Sequence, residues 1–369
     1  MSGRTLLLVG AGHAHLGVIE DLLGRGLPCE RVVLAEPRGA MHYSGMIPGW
    51  LAGEYRASEA MIPLEPLLED TPIEWFKARL VALDTEARIA KFDNGEVLPF
   101  DVCSIATGGT GRAARLVGDD PRLLDIRPID TFVETWRGLR DLAQPPRRIA
   151  VIGGGAGGVE LAFGLANAPL PAPPEVMLVA GKGGLLSDHS RAASRVVGRE
   201  LEAQNITVVS AEARFENGAL CIAGQSVEPQ DLVVAAVGSG APDWPRQCGL
   251  PVDEDGFIRV EAYQRACGLA HIFAAGDVAR RTDRDLPHSG VHAVYAGPVL
   301  ADNLRRALAG KKPSAIYRGW GMDFYLLNTG RGEAIVSYGP AAFKARWLRL
   351  LKDWLDRRWI ARFTRPAGP

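Results

Sequence analysis

The sequence predicts an α/β chain built on two separate βαβ units, because two glycine-rich loops each follow a short apolar strand and open a helix. In the first, Thr5 to Val9 leads into Gly10-Ala11-Gly12-His13-Ala14-His15 and a helical stretch to about Gly24. In the second, Arg148 to Ile152 leads into Gly153-Gly154-Gly155-Ala156-Gly157-Gly158-Val159-Glu160. The 369 residues exceed what one core usually supports, so two or three domains are expected.

Composition narrows the classes. A chain that is 47% hydrophobic with 43 glycines is globular and rich in turns. Its formal net charge of −1 provides no global field for nucleic acid or anionic lipid. The five cysteines (Cys29, Cys103, Cys221, Cys248, Cys267) lie far apart, without the close pairs of a zinc ribbon or a local redox disulfide, and no metal site is expected. Such a set fits a reducing compartment. The apolar stretch after Met1 is too short for a signal segment, and no apolar run spans a bilayer. These features predict a cytoplasmic protein.

In the first unit Gly10 permits the tight turn and Gly12 lets backbone approach a pyrophosphate at the helix N-terminus. His15 replaces the usual third glycine, so a bulkier side chain must fit where helix and strand pack closely. His13 and His15 either donate to phosphate oxygens or pack. The next strand, Val32 to Ala35, ends in Glu36, where a carboxylate can take a ribose hydroxyl. Two later strands add to this: Val102 to Ile105 closes on Ala106-Thr107-Gly108, and Ile272 to Ala275 delivers Gly276-Asp277. Ligands of open α/β sheets collect at such carboxyl ends.

These residues resemble the two-dinucleotide-binding-domain flavoproteins of the pyridine nucleotide–disulfide oxidoreductase superfamily, over about residues 4–310. The resemblance implies a glutathione-reductase-like pair of Rossmann folds. An FAD domain is split between residues 1–112 and 246–310, an NAD(P) domain covers 113–245, and a C-terminal segment covers 311–369. It assigns Gly10, Gly12 and Glu36 to the ADP half of FAD and Asp277 to the ribityl chain, with Ala106, Thr107, Gly108 and Gly276 beside them. The segment Asp231 to Gly238 resembles the second Ala-Thr-Gly-type crossover. The loop His42 to Gly53 stands where disulfide reductases carry their cysteine pair. It is similar instead to the loop of type II NADH:quinone dehydrogenases and sulfide:quinone reductases, which puts Ser44 at the flavin. The Gly-His-Ala-His and Tyr-Ser-Gly-Met segments are most similar to flavoproteins fused to or beside selenophosphate synthetase.

The second glycine loop is complete, and in the family Gly153, Gly155 and Gly158 bind NAD(P)H. Glu160 lies where related quinone reductases place a glutamate near nicotinamide and flavin; alternatively it is a carboxylate suited to a helix start. The following strand, Val176 to Val179, ends in Ala180 and not in an acid, so discrimination for a free 2′-hydroxyl is lost. Lys182 either pairs with a 2′-phosphate or is a solvated surface charge.

After Asp277, Pro287-His288-Ser289-Gly290 opens a helix from about Val291 to Leu308. The resemblance aims this N-terminus, with Gly290 and Val291, at the flavin pyrimidine edge, where N–H groups stabilise developing negative charge. His288 or His292 either supplies a proton there or caps and packs the helix. Where relatives line a quinone pocket, this chain has Tyr295, Ala296 and Gly297.

Phe343 to Asp356 carries helical spacing, with Phe343, Trp347, Leu350, Leu351, Trp354 and Leu355 on one face and a break expected before Trp359. Residues 343–363 hold seven Lys/Arg against two Asp, which suits a membrane interface, a cover on the flavin domain or a dimer contact. The sequence thus predicts an FAD-dependent dehydrogenase taking hydride from NAD(P)H and serving a quinone or other small acceptor without a redox disulfide. It is expected to be peripheral on the inner membrane face, with a homodimer open and no nucleic-acid partner. The rival readings are a flavoprotein oxidising a sulfur or selenium compound and a flavin-bound partner protein without turnover.

Overall fold

The structure is a computed structural model and describes residues 3–319 and 324–364. Five parallel strands form the first sheet, in the order Ile272–Ala274, Val102–Ile105, Thr5–Val9, Arg31–Ala35, Ile73–Phe76. A second parallel sheet runs Leu123–Asp125, Leu232–Ala235, Arg148–Ile152, Glu175–Val179, Thr207–Val209. In both sheets the strand that feeds the glycine loop is central. Being buried on both faces, it must read as a continuous apolar run, and Leu6, Leu7, Leu8 and Ile149, Ala150, Val151 do. The first sheet takes its edge strand, Ile272–Ala274, from far along the chain, beyond the whole second sheet.

Both glycine loops open helices, His13–Arg25 and Ala156–Ala166. The first helix packs against Gly290–Leu308, and a Cβ on Gly17 would stand 3.1 Å from the Gly297 backbone. The helix Ala156–Ala166 packs against Ile47–Leu51, where a Cβ on Gly164 would meet the Pro48 carbonyl at 2.6 Å. That contact brings Glu160 towards the loop that begins at His42.

The C-terminal segment departs from expectation. A three-stranded antiparallel sheet, Phe324–Asn328, Ala334–Tyr338 and Ala341–Ala345, comes first, and only then the helix Arg346–Thr364. Phe343 is therefore a strand residue opposite Val336, because ladder pairing overrides its helical spacing from Trp347. The expected break before Trp359 does not occur. Arg358 stays outside, while Trp359, Ile360 and Phe363 turn inward and hold the last turns. The helix is also inverted relative to the usual rule. Its inner face buries Arg349, Lys352 and Asp356 beside Leu348, and its outer face exposes Trp347, Leu350 and Trp354 by 56, 71 and 55%.

Candidate functional site

The carboxyl edge of the first sheet gathers Gly10 to His15, Glu36, Ala106 to Gly108 and Gly276-Asp277, one group from each of four neighbouring strands. Gly10 adopts φ +86° and donates from its N–H to Ala35 O. A Cβ on Gly12 would lie 2.4 Å from Ala106 O, so this glycine is demanded by packing against the Ala106-Thr107 turn rather than by a ligand. His15 corrects the phosphate-donor expectation. It is fully buried; Nδ1 donates to Gly10 O at 2.5 Å and Nε2 accepts from Ser104 Oγ at 2.9 Å. The imidazole thus fills the space of the missing glycine and bolts loop to strand. Burial holds it neutral, with its pKa lowered to about 4.

His13 behaves differently. Its Nε2 is buried without a hydrogen-bond partner, as is Thr107 Oγ1. Two orphaned polar atoms, one at the start of the helix His13–Arg25 and one just after the strand Val102–Ile105, fit a ligand rich in acceptors and donors, and the FAD pyrophosphate and ribityl chain answer that need. Beside them, a Cβ on Gly290 would approach Ser44 Oγ at 3.1 Å and His13 Nε2 at 3.6 Å. The N-terminus of the helix Gly290–Leu308 therefore points at the same spot, capped by Ser289, whose Oγ accepts from His292 N at 3.4 Å.

Glu36 is 2% exposed and already engaged. Oε2 accepts from Ala11 N at 2.9 Å, and Arg38 clasps both oxygens while reaching Asp130 at 2.6 Å. His42 Nδ1 donates to the other oxygen of Asp130 at 2.5 Å. Asp277, 6% exposed, accepts from Ser239 Oγ at 2.8 Å and pairs with Arg127 at 2.7 Å. Arg127 escaped sequence reasoning, since it follows the outermost strand of the second sheet and meets Asp277 only through tertiary packing. Val291, expected at the flavin edge, is 50% exposed.

His288 does not sit as a proton donor would. Its Nε2 donates to Ala279 O at 3.1 Å, its ring packs 4.2 Å from that of Phe257, and burial lowers its pKa. The bonding explains packing, and its catalytic assignment is withdrawn. A small cavity of about 50 Å³ lies alongside, lined by Asp277, His288, His292 and Tyr317.

In the second unit Gly153 takes φ +133°, and a Cβ on Gly158 would stand 1.9 Å from Gly153 O. Gly155, in contrast, would point a Cβ into open space, as a loop meant to receive a ligand does. Thr110 and Gly240 exchange two 2.8 Å hydrogen bonds, tying together the crossovers that leave the two sheets. The strand Glu175–Val179 ends at buried Ala180. Lys182 is exposed and lies 3.1 Å from Glu212, a surface pair that a 2′-phosphate could displace.

Glu160 lies partly buried between the units. Oε1 accepts from Asn328 N at 2.8 Å. Burial pushes its pKa up, Lys352 and the Asn328 N–H pull it down, and Asp356 adds an upward push. The C-terminal helix thus supplies functional candidates that the sequence hid. Lys352 Nζ donates to Gly45 O at 3.0 Å and to Asp356 Oδ2 at 3.1 Å, and Tyr43 OH donates to Asp356 Oδ1 at 3.1 Å. Trp359 stacks on Tyr43 and His13, with ring centroids 4.5 and 5.3 Å away. The signal was the Lys352/Asp356 pair one turn apart, which reads equally well as a solvated face. All five cysteines are free, and none belongs to this cluster.

The model of the pyridine nucleotide-disulphide oxidoreductases matches residues 4–297. Ferroptosis suppressor protein 1 of Xenopus tropicalis is 24% identical, covering 95% of each chain. Demethylphylloquinone reductase NdbB of Synechocystis is 25% identical, over 91% of this chain and 89% of its own. Among solved structures, the sulfide:quinone oxidoreductase of Aquifex aeolicus superposes with a TM-score of 0.76 at 17% identity. It covers 98% of this chain and 91% of its own.

Proposed function

The chain belongs to the pyridine nucleotide-disulphide oxidoreductase family, and on that premise we propose that it transfers two electrons from NAD(P)H to a quinone or other small acceptor, without a redox disulfide. The observation that carries this reading is the composition of the cluster at the start of the helix Gly290–Leu308. It holds His13, Tyr43, Ser44 and Trp359, and none of the five free cysteines belongs to it. FAD, held by the carboxyl edge of the first sheet, supplies hydride acceptance and electron return. Residues 1–112 and 246–310 form its domain, and 113–245 form that of the nicotinamide cofactor.

The protein's own tasks are binding, orientation and proton supply. Gly10, Gly12 and Ala106 to Gly108 shape the pyrophosphate cradle, with His13 Nε2 and Thr107 Oγ1 turned to it. Asp277 holds ribityl hydroxyls and Glu36 the ribose. Gly155 leaves room for the second dinucleotide. Glu160 protonates the acceptor oxygen as it gains charge, and Lys352 then steadies the carboxylate.

The outer stripe of Phe343, Trp347, Leu350, Trp354 and Leu355, 47, 56, 71, 55 and 40% exposed, fits docking on a membrane surface. The net basic charge contributes less than its count suggests. Among the described residues only Arg346 and Arg358 of the seven Lys/Arg in 343–363 lack an ion pair, so apolar insertion must dominate. No described helix is long and apolar enough to cross a membrane.

Anaerobic mixing of the yellow protein with NADH or NADPH tests the activity; bleaching of the flavin band by one of them, reversed by a soluble quinone, is expected. Persistence of the band with both rejects the reading, and sulfide or selenide in place of the nicotinamide tests the sulfur and selenium rival. For docking, Trp347, Leu350 and Trp354 changed together to serine should lower liposome partition at least about tenfold. Unchanged pelleting removes the claim. Truncation is the wrong tool, because the inner face of the same helix builds the site.

A further inference from the structure

Around Glu160 the buried charges do not cancel one for one. Lys352 is hydrogen-bonded to Asp356 at 3.1 Å and acts electrostatically on both Asp356 and Glu160. The other nearby cation, Arg349, is committed to Glu54, with its NH2 2.9 Å and its Nε 3.1 Å from Oε2. Asp353 also lies 3.8 Å from Arg349. One ammonium must therefore serve two acids.

The hydrogen bonds decide which acid holds it. Asp356 receives Lys352 Nζ on Oδ2 and the Tyr43 hydroxyl on Oδ1, both at 3.1 Å. Glu160 receives one neutral donor, Asn328 N. An ionised carboxylate is favoured where charged and multiple donors converge, and the poorer neighbour keeps its proton. Gly45 O holds Lys352 from a second direction at 3.0 Å, so the ammonium does not swing across while Asp356 is ionised.

We propose that Asp356 is a positioning residue: by claiming Lys352 and the Tyr43 hydroxyl, it leaves Glu160 as the acid that carries a proton. This rests on the dehydrogenase reading only for its use. There, the Glu160 O–H bond breaks, its proton passes to the acceptor oxygen, and the electron pair of that bond remains on the carboxylate. The two electrons and the second proton arrive with the hydride of NAD(P)H, and solvent returns the proton to Glu160. Lys352, held 3.1 Å from Asp356, is then shared with a second anion only after the proton has left. Beside Lys352, the titratable groups Arg349, Tyr43 and Asp356 act on Glu160, and Glu54 is joined to it through Asn328.

The test reads the proton directly. Infrared spectra of the holoenzyme, without substrates, follow the carbonyl stretch of protonated carboxyl groups across pH, and Glu160→Gln identifies the Glu160 band by its loss. With Asp356→Asn the ammonium falls to Glu160, and the midpoint of that band should move down by roughly one to two pH units. Asp356→Glu should restore it, and Asp356→Ser serves if the asparagine variant does not retain FAD. A folded variant with an unmoved midpoint overturns the proposal, as does a Glu160→Gln spectrum that keeps the band. Turnover separates the two readings. If Glu160→Gln leaves acceptor reduction unchanged, the proton-donor role fails while the infrared midpoint still decides the place of Asp356. If it slows reduction but Asp356→Asn leaves the pH profile in place, Asp356 alone is dismissed.

Discussion

The two glycine loops occupy the same place in two similar sheets, yet they solve the same problem by different chemistry. The second keeps all three motif glycines: Gly158 must be bare because a Cβ would strike Gly153 O at 1.9 Å, while Gly155 faces open space. The first trades the third glycine for His15, which hydrogen-bonds Gly10 O and Ser104 Oγ and leaves the loop stiffened from within. Its acid, Glu36, is prearranged by Ala11 N and Arg38, whereas the second strand ends in Ala180. A loop braced on all sides suits a resident cofactor. An open loop without a ribose acid suits a cofactor that comes and goes.

The sharpest test of that contrast is steric. Gly12→Val forces its side chain into Ala106 O, which a Cβ alone would approach to 2.4 Å, and should destabilise the apoprotein by at least about 3 kcal/mol in urea unfolding. Gly155→Ala meets nothing within 4 Å and should leave unfolding unchanged while weakening NAD(P)H binding. Equal destabilisation by both would erase the distinction. Next in size, His15→Ala removes two buried hydrogen bonds and opens a void, for a loss of roughly 2–4 kcal/mol.

The same histidine carries a pH signature. Unfolded, it binds a proton near pH 6.5; folded, burial delays this to about pH 4. The unfolded state therefore holds more protons between those values. Stability linked to His15 is complete above pH 6.5 and is lost as pH falls towards 4, by roughly 3 kcal/mol at the limit. Unfolding at pH 5 and pH 7.5 should show the gap between the native chain and His15→Ala narrowing on the acid side; a constant gap would contradict the assignment.

Exchange of the acids comes third. Glu36→Ala should weaken FAD retention about 10- to 100-fold, the value of charge-assisted hydrogen bonds. Ala180→Asp should shift the preference towards NADH by about tenfold, as the ratio of kcat/KM for the two cofactors would reveal. The smallest effect belongs to Lys182→Ala. Exposed and paired with Glu212, it should change the KM for NADPH by less than about threefold, and a larger change would establish its part in the 2′-phosphate site.

Legibility in the sequence followed the range of the interactions. Strands Thr5–Val9 and Arg148–Ile152 were readable to the residue, because a strand buried on both faces must be apolar throughout and the glycines that end it are sterically required. His15 was visible as an anomaly, but its partners Gly10 O and Ser104 Oγ were not. The tail was misread in more than one respect: Phe343 belongs to a strand, and the helix runs on past Trp359. Its apolar stripe was identified, yet nothing in the spacing showed that the polar face turns inward, where Arg349, Lys352 and Asp356 are 8, 9 and 6% exposed. Periodicity reports two faces and not which of them meets the protein.

The sequence by itself determined the family, the two nucleotide loops and the acids or their absence at strand ends, since these depend on local steric demands and short-range spacing. Only the tertiary structure decided that Asp277 meets Arg127, that His15 is a brace, and that Trp359, Lys352 and Asp356 return from the last helix to stand beside Tyr43. Asp277 and Arg127, and Tyr43 and Asp356, are more than a hundred positions apart, and His15 reaches Ser104 across 89. A buried charge is stable only where distant elements supply its partner, so its role follows from packing and not from its neighbours along the chain.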